Sequence, residues 1–205
     1  MSSDAVSAVT EPAPEPDRQA PRNRRQEETF RKVLTAGTEM LRESSYADLT
    51  VRAVAARAGV APATAYTYFS SKNHLIAEMY LDLVSRCPYF TDVNDSMTTR
   101  VDKALRALTL VVADEPEVAA ACTTALLGGG TDPAVRKVRD RIGAEIHKRI
   151  RSAVGPDADP RIVSALEMTF FGALVNAGSG AFTYHQIADR LTYVVGLVLG
   201  EDKDQ

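Results

Sequence analysis

No stretch of this 205-residue chain approaches the ~18 uninterrupted apolar residues that a membrane-spanning helix requires. The N-terminus lacks a basic stretch followed by an apolar run, so no export signal is read there and a cytoplasmic location is expected. Cysteine is scarce: Cys87 and Cys122 stand far apart, form no metal or redox spacing, and are expected to be reduced. The three histidines, His74, His147 and His185, fall on three separate segments. None is read as having a His, Cys or acid at ligand spacing, so no metal is expected and each reads as a surface or capping residue. Gly128-Gly129-Gly130 lacks the following Lys-Ser/Thr of a phosphate loop and reads as a flexible connection. No cofactor is expected. No nucleophile–base pair or paired carboxylates stand out either, which counts against an enzyme.

What is present is ordinary globular composition, with 45% hydrophobic and 25% charged residues. The net charge of −3 is unevenly spread. Residues 1–20 carry four acids against Arg18, whereas residues 21–86 carry ten Lys/Arg against seven Asp/Glu. The remainder is acidic again, with thirteen against sixteen. A mildly basic segment in an acidic chain suits a DNA-binding module joined to a different body.

Residues 1–21 hold Pro12, Pro14, Pro16 and Pro21 without apolar periodicity and read as a disordered tail. Beyond them apolar residues recur at helical steps, and no run of strand alternation is found. The expectation is an all-α fold of about nine helices. The first spans 23–43, with Phe30, Val33, Leu34, Gly37, Met40 and Leu41 on one face. Thr50 caps a short second helix that Gly59 ends, Pro62 opens a third ending near Phe69, and Ser71 caps a fourth. A fifth is expected over 97–113, and a sixth from Pro116 to the glycines. Asp132-Pro133 and Asp159-Pro160 start a seventh and an eighth, and the capping box Thr183/Gln186 starts a ninth. The domains follow as a DNA-binding unit over 22–70 and a helical body over 71–201.

Two short helices flanking the Gly59 turn make a helix-turn-helix. Val54, Val60, Ala65 and Phe69 can close a small core against the first helix. The outward face of the third helix is then Ala63, Thr64, Thr67 and Tyr68, with Tyr66 alongside. Its hydroxyls and methyl groups, with no acid, suit a major groove. Thr50 and Lys72 lie at helix starts, where N–H groups suit phosphate. Arg22, Arg24 and Arg25 form a basic arm, and Arg52 can reach the backbone or a base.

Residues 22–85 resemble the DNA-binding domain of TetR-family regulators. The matching pieces are Leu49-Thr50-Val51-Arg52, Ala58-Gly59-Val60, Tyr66-Thr67-Tyr68-Phe69, Ser71-Lys72 and Leu75. The resemblance implies that Thr50, Tyr68 and Lys72 meet phosphates, and that Ala63, Thr64, Tyr66 and Thr67 meet bases. Ala61 departs from the pattern, since the family has Ser or Thr capping the recognition helix. Losing that cap should cost ~1 kcal/mol, part of which Pro62 offsets.

The resemblance further implies that the body binds an effector and forms a homodimer. The eighth helix is apolar on more than one face, so it must be buried on two sides. Leu166, Phe171 and Leu174, with Leu191 and Val195 of the ninth, are the candidate dimer interface. Phe90, Leu105, Leu108, Val112, Cys122, Leu126, Phe170 and Phe171 are core residues first and candidate pocket lining second. The basic run Arg136–Arg141 with Lys148, Arg149 and Arg151 reads as a solvated face first, with the holding of a ligand's carboxylate or phosphate as the alternative. The function expected is a repressor that leaves a palindromic double-stranded operator when a small lipophilic effector binds. The alternatives are an activator, a regulator without an effector, a helical interaction module, or a small helical enzyme.

Overall fold

The computed structural model describes residues 24–128 and 132–200. The tail expected over 1–21, Arg22 of the basic arm, and Gly129 and Gly130 lie outside the described residues. The order is α1 (Arg24–Glu43), α2 (Val51–Arg57), α3 (Pro62–Tyr68), α4 (Lys72–Ser85), α5 (Met97–Leu110), α6 (Pro116–Gly128), α7 (Pro133–Val154), α8 (Pro160–Gly178) and α9 (Tyr184–Leu199). No strand occurs among the described residues.

The helix starts are set by local chemistry. The Thr50 hydroxyl accepts from the Ala53 N–H, Ser71 from His74, Ser96 from Thr99, and Asp132 from Ala134. Each satisfies a backbone donor that the first helical turn leaves open. At α9 the box is complete: Thr183 accepts from the Gln186 N–H while the Gln186 side chain accepts from the Thr183 N–H. Ala61 makes no such bond, and α3 starts on Pro62 alone. α5 ends at Leu110, short of the expected 113, because the chain tightens into i→i+3 turns before Pro116.

Phe30, Val33 and Leu41 of α1 meet Val54, Ala65 and Phe69 in a small apolar core. Phe30 and Phe69 stack there with centroids 5.0 Å apart. Gly59 turns the chain between α2 and α3 at φ +66°, a left-handed conformation that favours glycine. Gly37 has a different role. A Cβ there would lie 2.9 Å from the Met79 Sδ, so its absence lets α1 and α4 approach closely.

α4 joins this head to the body, packing on α1 as well as on α6 and α7. α5, α7, α8 and α9 complete the bundle. No described helix is long and apolar enough to cross a membrane.

Candidate DNA-binding face and effector cavity

Helix α3 is short and held by one edge. Ala65 and Phe69 are wholly buried, so the opposite edge is presented outward. Ala63, Thr64, Tyr66 and Thr67 are exposed, with Tyr66 at 52%. The Thr67 hydroxyl donates to the Thr64 carbonyl at 2.6 Å. Tyr68 is half-buried, its ring edge-on to Phe30 at 6.1 Å. Thr50 is exposed while its oxygen caps α2. Arg25 and Arg52 are exposed and carry no ion pair among the described residues. Their neighbours differ: Arg57 is clamped on Glu43, Arg31 on Glu27 and Arg24 on Glu28.

Lys72 is less free than its place at a helix start implies. Its Nζ donates to the Tyr46 carbonyl at 2.9 Å and lies 4.0 Å from the centre of the Tyr46 ring. Tyr46 in turn donates to Asn73 at 2.6 Å. This bracket ties the loop between α1 and α2 to the start of α4.

The body encloses an apolar cavity of about 310 Å³ among α4, α6, α7, α8 and the start of α9. Of the expected lining residues, Val112, Cys122, Leu126 and Phe171 reach it. Phe90, Leu105, Leu108 and Phe170 do not: the last three are almost wholly buried in the core, and Phe90 packs against it. Tyr80, Thr123, Ile142, Ile146 and Tyr184 line it without having been foreseen, and Arg139 of the basic run lines it as well. They come from four different helices, and only the packing brings them together. Burial pushes the Tyr80 phenol far up and the Cys122 thiol up to about 12, so both are neutral.

Three of the expected interface residues are corrected. Leu166, Leu191 and Val195 are 0%, 3% and 0% exposed within a single chain, so they serve its own core. The outward apolar stripe is Met168, Phe171 and Val175 on α8 with Tyr193 and Leu197 on α9. Leu174 is half-buried and faces the cavity. A helix that is apolar all round offers two candidate faces, and sequence spacing does not say which turns inward.

The solvated reading of the basic run fails at Arg149, which is 1% exposed. Its guanidinium donates to the Ser85 and Cys87 carbonyls at the end of α4, at 2.7 and 3.0 Å, and to Glu145 at 2.7 Å. Arg141 donates to the buried Glu78 at 2.6 Å, and Asp132 accepts from Ser71 at 2.8 Å. α7 therefore grips α4 at its start, middle and end.

His74 is also more enclosed than expected. Ser70 donates its N–H to the His74 Nδ1 at 3.2 Å, and the His74 Nε2 lies 3.8 Å from Glu78. The signal was present in the sequence, since Glu78 lies four residues on. His147 pairs with Glu167 and His185 with Asp114 at the surface. No group of three or more His, Cys, Asp or Glu able to hold a metal occurs among the described residues.

Burial alone would raise the Glu78 carboxyl, but the His74 ring and the Arg141 guanidinium outweigh it and hold the group below its usual 4.5. A second, polar cavity of about 470 Å³ lies between α1, α4 and α7, with Glu27, Arg31, Glu78 and Arg141 among its walls.

An exposed, acid-free recognition helix on a helix-turn-helix defines a DNA-binding regulator. The family described as "Bacterial regulatory proteins, tetR family" matches residues 33–79. HTH-type transcriptional regulators of Mycobacterium tuberculosis and Mycobacterium bovis are 71% identical over 203 residues, covering 97% of this chain and 94% of theirs. This chain belongs to the TetR family of bacterial transcriptional regulators. Its fold resembles a TetR transcriptional regulator from Rhodococcus sp. RHA1, with a TM-score of 0.73 at 21% identity over 88% of this chain and 100% of that one. It also resembles the Bacillus subtilis regulator FadR in complex with stearoyl-CoA, with a TM-score of 0.58 at 14% identity, over 81% and 97%.

Proposed function

We propose that this regulator is a repressor that binds a palindromic operator as a homodimer and is released by a small lipophilic effector in the body. One observation carries the reading: α6 spans from the cavity to the DNA-binding head. Near its end, Leu126 lines the cavity. Just before its start, Glu115 accepts both N–H groups of the Arg42 fork at 2.7 Å, and Arg42 belongs to α1. An effector that favours a different seat for α6 or α4 thereby favours a different angle of the head, a shift of population between two arrangements. The polar cavity between α1, α4 and α7 leaves room for such a shift. A fold neighbour crystallised with stearoyl-CoA carries a lipophilic ligand, and an apolar cavity suits that class.

The exposed stripes of α8 and α9, set against a second copy, form a four-helix interface with two-fold symmetry. Two heads then meet half-sites about one helical turn, ~34 Å, apart.

Selection of bound duplexes from a random pool tests the reading, with two inverted half-sites as the expected result. Arg25, Thr50, Arg52, Ala63, Thr64, Tyr66, Thr67, Tyr68 and Lys72 are the proposed contacts. Lys72→Ala should weaken all duplexes alike and lower the salt slope by ~1. Enrichment of no sequence would defeat the proposal.

A further inference from the structure

The effector cavity carries one charge on otherwise uncharged walls, and that charge is positive. Arg139 lines it beside Leu126, Ile142 and Ile146, and no Asp or Glu is among the lining residues. Arg139 is half-buried and donates to the Leu126 carbonyl at 3.2 Å. Its neighbours on α7 are treated differently, since Arg141 is paired with Glu78 and Arg149 with Glu145. Among the described residues Arg139 has no carboxylate partner. A guanidinium has five N–H donors in a rigid fork, so one bond to a neutral carbonyl leaves most of its capacity unused. A partly desolvated charge without a counter-charge is unfavourable, and an anion brought by a ligand relieves it.

We propose that the cavity binds a molecule with an apolar body and a carboxylate at one end, the carboxylate seated on Arg139. The proposal rests on the reading that this cavity is the effector site, and adds the chemical class of the effector. The apolar walls of Ile142, Ile146, Leu126 and Phe171 take the body by removing it from water. Tyr80 is held neutral by burial and Tyr184 is held up by burial as well, so neither adds negative charge that would repel the acid. A cationic amphiphile of the same shape meets Arg139 with like charge and no acid to receive it.

The experiment is calorimetric titration of the full chain, free of DNA, with octanoate, decanoate and dodecanoate, their primary alcohols and their primary amines. At least one acid should bind at least about tenfold tighter than its alcohol, the scale of one charge-assisted hydrogen bond, and the amines should bind weakest. Arg139→Gln should bring the acid down to the level of the alcohol and leave the alcohol unchanged, while Arg139→Lys should keep part of the preference. Equal binding of acid and alcohol by the wild type, or binding of no acid, overturns the proposal without any variant. Retention of the acid preference in Arg139→Gln overturns the assignment to this residue. A gel-shift arm separates the two readings. If the acid binds through Arg139 but leaves the selected duplex bound, the release mechanism fails and this inference stands. If an alcohol releases the duplex as well as the acid does, the inference fails and the release mechanism stands.

Discussion

In α1–α3 the buried interior is wholly apolar among the described residues, and the charges sit outside in pairs such as Arg31–Glu27 and Arg57–Glu43. In the body the charges go inside: Arg149 and Glu78 are buried, and no buried side-chain polar atom among the described residues lacks a hydrogen-bond partner. Exposed pairs of the first kind contribute little, because water and salt screen them. A buried guanidinium that loses its acceptors, or acceptors that lose it, costs far more. The head thus packs through apolar contacts that run on into the body, while directional bonds fix α4 on α7. Apolar contacts slide, whereas a guanidinium on two carbonyls holds one geometry. That difference makes α4 a suitable lever between the apolar cavity of the body and the helix-turn-helix.

The comparison breaks first at Arg149. Arg149→Met should destabilise the chain by ~3–5 kcal/mol in urea unfolding, whereas Arg57→Ala in the head should change stability little. Similar losses for the two would erase the distinction between interior and exterior charge.

The assembly test comes next. Met168→Arg and Leu197→Arg place a charge on each exposed stripe and should convert the proposed dimer to a folded monomer in sedimentation, an interface loss of several kcal/mol. A wild type that is already monomeric at micromolar concentration removes the proposed interface.

A smaller effect sharpens the reading of the head. Thr64→Val and Tyr66→Ala should leave folding and assembly intact yet weaken operator binding at least roughly tenfold, ~1.4 kcal/mol, while random DNA is held as before. Equal losses on both DNAs would mean that these side chains position the protein without reading sequence.

The smallest effect is in the pH dependence of the body. Glu78 is depressed in the folded state, so its contribution is present above its ordinary value of 4.5 and is lost as pH falls through the folded value. Glu78→Gln should therefore flatten the acid side of the stability curve and leave the neutral-to-alkaline side parallel to wild type. An unchanged acid limb in thermal unfolding would take Glu78 out of that balance.

The helix starts were legible because their causes lie within four residues: Thr50, Ser71, Asp132 and Thr183 each cap the helix they precede, as their spacing implied. The exposed edge of α3 was legible for the same reason, since burying Ala65 and Phe69 turns Ala63, Thr64, Tyr66 and Thr67 outward. The cavity was only half legible. Val112, Cys122, Leu126 and Phe171 reach it, but an apolar residue on a bundle helix carries no mark telling core from lining. Arg139 and Arg149 share one basic run, yet one borders the cavity and the other closes the end of α4.

By itself, then, the sequence determined the all-α class, the helix starts, the helix-turn-helix and the exposed edge of α3, all products of short-range capping, turn chemistry and periodicity. The tertiary structure alone decided which face of α8 and α9 is outward, which arginines are interior, and where the cavity opens. Those outcomes depend on how distant helices rotate about their axes against one another. An all-round apolar helix or a uniformly basic run leaves that rotation unspecified until the whole bundle packs.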